Sequence, residues 1–146
     1  MRHRSVLNLP SLATTLLALL SGCGGAFGPE QFKTARIEGA VRIAKEPLRG
    51  GFIEFSPIDG TVGIMRSAPI QPDGTFVVDR VAVGVNAIAI VGESLPRRLS
   101  GICDPLGSQI HRTVADAQAT KIEIDLLAEE ASVQLRRQKL TEEFNR

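Results

Sequence analysis

APIQPDGTFVVDRVAVGVNAIAIV, residues 68–91, sets a tight turn between two short apolar alternations. Gln71-Pro72-Asp73-Gly74 places proline, aspartate and glycine where a tight turn favours each of them. Beyond the turn the chain alternates, with Phe76 and Val78 predicted to point inward. Gly84 interrupts the run, and in the next segment Ile88 and Ile90 alternate with Ala87 and Ala89. A period of two over so few residues marks half-buried strands.

The same period extends outward in both directions. In ARIEGAVRIA, residues 35–44, Ile37, Val41 and Ile43 share one face with Gly39, and Arg36, Glu38 and Arg42 share the other. Lys45-Glu46-Pro47-Leu48 punctuates that strand, because Pro47 pre-sets a turn dihedral. GGFIEFSP, residues 50–57, follows with Ile53 and Phe55 inward, and Asp59-Gly60 is a further turn signal. Ala68 and Ile70 are the core candidates of the next segment. Near the end of the domain, KIEIDL, residues 121–126, puts Ile122, Ile124 and Leu126 on one face. Six or so short strands, with no helical pattern of 10–15 residues between them, exclude a parallel α/β sheet. The expectation is an all-β protein, an antiparallel β-sandwich over residues 35–126.

The residues carry a resemblance. GAVRIAKEPLRGGFIEFSP (39–57) and APIQPDGTFVVDRVAVGVNAIAIV (68–91) resemble the carboxypeptidase regulatory-like domain, an Ig-like sandwich of the transthyretin (prealbumin) type. Gly39, Val41, Pro47, Leu48, Ile53, Phe55, Pro57, Asp73, Gly74, Phe76 and Gly84 stand at matching positions, over about Ile37 to Val91. Two places depart from the pattern. Ala44-Lys45-Glu46 stands where the family often has Asp-Gly or Asn-Gly, and Val83 and Asn86-Ala87 replace a proline and an aromatic. In carboxypeptidases such a domain is an appendage to a separate zinc catalytic domain, so the resemblance implies a non-catalytic module.

The N-terminal residues predict a location. Arg2, His3 and Arg4 open the chain, a short apolar run peaks at Leu16–Leu20, and small residues follow. That is the layout of a secretory signal peptide, and the run is too short and too interrupted to span a bilayer. Leu20-Ser21-Gly22-Cys23 resembles the lipobox of bacterial lipoproteins. The resemblance implies cleavage of residues 1–22 and a diacylglyceryl group on Cys23, whose sulfur is the nucleophile. Two or more acyl chains anchor stably where one does not. The alternatives are a conventional secretory signal cut elsewhere and a buried N-terminal helix with an incidental cysteine. Gly24, Gly25, Gly28 and Pro29 make residues 23–34 a flexible tether.

Composition narrows the partners. Loss of Arg2 and Arg4 with the leader leaves 15 basic and 16 acidic residues, so no electrostatic funnel for nucleic acid is expected. Trp and Tyr are missing and the phenylalanines read as inward, which argues against sugar stacking. No cofactor and no metal are expected: His3 and His111 are the two histidines, and His3 leaves with the leader. Asp104, His111 and Asp116 with Ser100 or Ser108 form the best nucleophilic constellation that can be assembled, and their spacing reads as solvated loops.

Two segments break the alternation. Residues 92–119 show no clear period and contain Arg97, Arg98, Cys103, Asp104, His111 and Arg112. Long loops of this kind are functional or mobile. The segment is therefore either a partner-binding loop or a mobile excursion with a short strand near Ile110–Val114. Cys103 is the remaining thiol, a half-buried structural residue or the site of an intermolecular bridge. Residues 127–146 shift to a helical pattern, with Leu127, Ala131 and Leu135 as its narrow stripe. Such a helix either packs loosely on its own sandwich or stands solvated, or docks on a partner through Leu127, Leu135 and Phe144. Taken together, the sequence predicts a protein lipid-anchored in the cell envelope, facing periplasm or exterior, with a structural or protein-binding sandwich. The alternative is a carbohydrate- or small-ligand-binding module.

Overall fold

The structure, a computed structural model, describes residues 32–117 and 119–145, and Leu20, Ser21, Gly22 and Cys23 lie outside them. The described elements are β1 (Thr34–Ile43), β2 (Glu46–Pro47), β3 (Phe52–Pro57), β4 (Arg66–Pro69), β5 (Thr75–Ala82), β6 (Gly84–Val91), α1 (Arg97–Ser100), β7 (His111–Val114), β8 (Ala119–Asp125) and α2 (Leu126–Phe144).

Two four-stranded sheets face each other. In the first, β1 is central: β5 and the two-residue β2 pair with it antiparallel, and β8 pairs with it on the other side. The second has the order β4-β3-β6-β7 and is antiparallel throughout. The expectation of a purely antiparallel sandwich needs one correction, because β8 runs parallel to β1, with Ile37 beside Thr120 and Val41 beside Ile124. Alternation fixes the face a side chain takes and is silent on the direction of the neighbouring strand. β7 lies in the other sheet, so the link into β8 crosses between sheets and no hairpin dictates its sense.

The inward positions read from alternation form the core. Ile37, Val41, Ile53, Phe55, Phe76, Val78, Ile88, Ile90, Ile122 and Ile124 are all buried. The Phe55 and Phe76 rings meet between the sheets, centroids 6.3 Å apart and tilted by 48°. Each such side chain contributes about 1.5–3 kcal/mol through burial. Alternation fails at Val81 and Ala82, which are both buried. The β1–β5 register shifts between Ala35 and Ile37, and Arg80 has φ +60°, so a bulge there shifts the parity and turns Val81 into the core, while Ala82 on the opposite face is covered by the segment around Gly63.

The phenylalanines also need a correction. Phe55 and Phe76 are buried, but Phe52 is 55% exposed and Phe144 92% exposed. With Ile53 and Phe55 facing the core, strand parity sends Phe52 to the outer face.

The two departures from the family pattern have structural counterparts. Ala44 (φ +50°) and Lys45 (φ +77°) both adopt left-handed conformations in the β1–β2 hairpin. That is the conformation Asn-Gly would supply without strain. Asn86 is fully buried and donates from its amide to the carbonyls of Ala82 (2.9 Å) and Gly84 (3.1 Å), which ties down the passage from β5 to β6.

Candidate functional site

The segment with no readable period is an ordered cap over one end of the core. Leu99, Ile102, Cys103 and Ile110 are buried in it, and Leu95 packs against the same cluster. Leu95, Leu99, Ile102 and Cys103 follow the spacing of one helical face, a stripe that the four residues of α1 only partly cover.

Backbone hydrogen bonds hold the cap against β6. Ile90 N–H donates to the Cys103 carbonyl (3.1 Å), Ile88 N–H to the Ile110 carbonyl (2.8 Å), and Gln109 N–H to the Ile102 carbonyl (3.0 Å). The Ser108 hydroxyl lies between the carbonyls of Ile88 and Ile102 and accepts from Ile110 N–H at 3.2 Å. Asp104 closes a tight local turn, its Oδ1 accepting from Leu106 N–H at 2.8 Å. The segment lies packed against the sandwich and does not project from it. The short strand expected near Ile110–Val114 is present as β7.

The six residues expected to form a partner loop are distributed over different surroundings. Arg97, Arg98 and Asp104 are exposed on the cap, joined by the almost fully exposed Leu106. His111 is exposed on β7, its Nε2 3.0 Å from the Ser108 carbonyl. Arg112 turns toward α2 and pairs with Glu129, both side chains largely screened from solvent. Cys103 is fully buried, not half-buried, and burial first and the Glu129 charge second push its thiol up to about 12. It offers no surface to a partner, and an intermolecular bridge would require the cap to open. A notch of about 230 Å³ lies above it, bordered by Leu95, Arg97, Ser100 and Asp104.

The nucleophilic constellation is not assembled. Ser100 donates to the Arg97 carbonyl at 2.6 Å, and Asp116 pairs with Lys33 at 2.5 Å. His111 reaches a main-chain carbonyl and no described carboxylate. Among the described residues no three His, Cys, Asp or Glu side chains converge as metal ligands. On the outer face of the β1 sheet opposite charges interleave, Arg36 meeting Glu38 and Asp79 at 2.9 Å each and Arg42 meeting Glu123 at 3.8 Å.

The helix expected over 127–146 is present as α2, and two surface features are defined by the structure alone, a trough and the docked face of that helix. The trough, of about 590 Å³, lies on the outer face of the second sheet, where Phe52 and Val91 lie beside Arg49, Glu93 and Ser94. At its floor the backbones of Gly51 and Gly92 approach closely, and a Cβ on Gly51 would stand 2.6 Å from the Val91 carbonyl oxygen. The docked face belongs to α2. Asp125 caps it by accepting from Leu127 N–H at 3.0 Å, and the helix docks through Leu126 and Val133, which are buried. The expected stripe is corrected accordingly: Ala131 and Leu135 are exposed and Leu127 only half-buried. Leu126 is the last inward residue of the β8 alternation, and it fixes which side of the helix follows it inward. The spacing Leu126–Val133–Leu140 is the signal that would have found this face.

Fold and surface define the chain as a two-sheet β-sandwich with an end cap and a C-terminal helix. No protein-family model matches it, and no curated protein matches it. No helix among the described residues is long and apolar enough to cross a membrane.

Proposed function

We propose that this is a lipid-anchored protein of the cell envelope whose β-sandwich has a structural or protein-binding role and no catalytic one. The observation that carries the reading is Leu20-Ser21-Gly22-Cys23 behind a charged start and a short apolar run. The compact unit that begins at Phe32 would follow the anchor after a short glycine-containing tether. The non-catalytic role draws support from His111, Asp116, Ser100 and Ser108, each of which is committed to a different local partner. The finer assignment, a carboxypeptidase regulatory-like sandwich of transthyretin type, draws support from Gly39, Phe55, Gly74 and Phe76 in their turn and core positions. Fractionation tests the anchor: the native chain is expected in membranes and detergent phase, and Cys23→Ala in the aqueous phase. An unchanged distribution would remove the anchor.

A second reading, a surface carbohydrate-binding module, is favoured by one observation, the exposed Phe52 in a trough with Arg49, Glu93 and Ser94. A glycan array separates the two readings. Binding to a defined polysaccharide that Phe52→Ala abolishes would favour the module, and a blank array favours the structural role.

A further inference from the structure

Every described residue of α2 beyond Val133 is exposed, so the helix runs on past the body that it docks on. Its docking face does not end there. Leu126 and Val133 are seated in the core, and on the same side, one heptad and then one turn later, come Leu140 and Phe144, 66% and 92% exposed. Leu135 points about half a turn away from this face. Between the helix and the segment 108–111 lies an open notch of about 270 Å³ that Val133, Arg136, Arg137, Leu140 and His111 help to line.

We propose that this face pairs with the same face of a second copy, antiparallel, with Leu140 meeting Leu140 at the two-fold axis. In such a pair, residues three or four before Leu140 in one chain meet residues three or four after it in the other. Phe144 of each copy then enters the notch beside Arg136 and Arg137 of the other. Arg136 and Glu143 lie on the same flank of the helix, and antiparallel packing brings like flanks together, so Arg136 meets Glu143 twice across the axis. Sequence order makes the surface self-complementary: a basic stretch, Arg136, Arg137 and Lys139, precedes Leu140, and an acidic one, Glu142 and Glu143, follows it. Arg136 already donates one N–H to the Gln109 carbonyl at 3.1 Å, which leaves other guanidinium donors for the partner. The overlap spans about three helical turns, so the contact belongs with small, reversible interfaces. It does not depend on a lipid at Cys23.

The test is cysteine crosslinking of the full chain in intact cells under a mild oxidant, read on non-reducing gels. The unsubstituted chain is the control for Cys23 and Cys103. Leu140→Cys is expected to give a reducible homodimer in at least roughly fivefold higher yield than Leu135→Cys. Adding Arg136→Glu or Glu143→Arg to Leu140→Cys should cut the yield roughly fivefold, and adding both should restore it. Equal crosslinking at positions 135 and 140, or no recovery in the double reversal, overturns the proposal. So does a Leu140→Cys chain that stays monomeric, whether its face is bare, meets lipid or holds another protein.

Discussion

Gly39 on β1 faces Phe76 on β5, and the aromatic ring occupies the place a side chain at 39 would need. A Cβ on Gly39 would lie 2.8 Å from Phe76 Cζ and 1.9 Å from the carbonyl oxygen of Ile122 on β8. The glycine therefore admits both the ring between the sheets and the parallel strand beside β1.

Gly39→Ala should for that reason cost more than a strand glycine usually does. The ring can shift, but the Ile122 carbonyl is backbone and moves only with β8. A loss of about 2–3 kcal/mol in urea-induced unfolding is expected. A change within about 0.5 kcal/mol would mean that β8 is not held as closely as described.

The ion pair between Arg112 on β7 and Glu129 on α2 joins helix to sandwich, with side chains 31% and 16% exposed. Partial burial raises it above an exposed pair and below a fully buried one. A double-mutant cycle with Arg112→Ala and Glu129→Ala should yield a coupling of about 1–2 kcal/mol. Each single variant should also speed proteolytic release of the C-terminal helix.

Cys103 gives a pH signature. Burial raises its thiol from 9.0 to about 12, so at pH 8 only about one folded molecule in ten thousand carries the thiolate. Alkylation of the native protein at this residue should be negligible and should appear on denaturation. The sign for stability follows from proton binding. Between about pH 9 and 12 the unfolded chain has released this proton and the folded chain has kept it, so the thiol's contribution falls as pH rises. The stability difference between the native chain and Cys103→Ala should shrink by about 1 kcal/mol from pH 7 to pH 10. A constant difference would contradict the burial of this side chain.

Ala44 and Lys45 hold left-handed conformations without being glycine or asparagine. Ala44→Asn combined with Lys45→Gly should stabilise the protein by about 1 kcal/mol, visible as a higher melting temperature. Destabilisation would show that the hairpin uses another turn.

What the sequence disclosed follows a physical division. Ile53 and Phe55, Phe76 and Val78, and Ile122 and Ile124 were legible because one face is dry and the strand period is two. The parallel sense of β8 was not, since alternation carries no information about a neighbour's direction. The cap stayed hidden because Leu95, Leu99, Ile102 and Cys103 span little more than two turns, too short for a helical period to stand out. On α2 the period was visible but its phase was misplaced: the strand before the helix sets the docked face, and Leu126 belongs to both patterns. Phe52 follows from parity once Ile53 and Phe55 are placed inward, and its exposure gives the carbohydrate reading one aromatic surface in a chain without Trp or Tyr.

The proposed anchor depends on one sulfur, that of Cys23. Mass spectrometry of the N-terminal peptide of the protein isolated from its native membranes tests it most directly. The expected chain begins at Cys23 and carries the mass of a diacylglyceryl thioether. A peptide that continues through Gly22, or a Cys23 that takes up a thiol reagent unmodified, would contradict it.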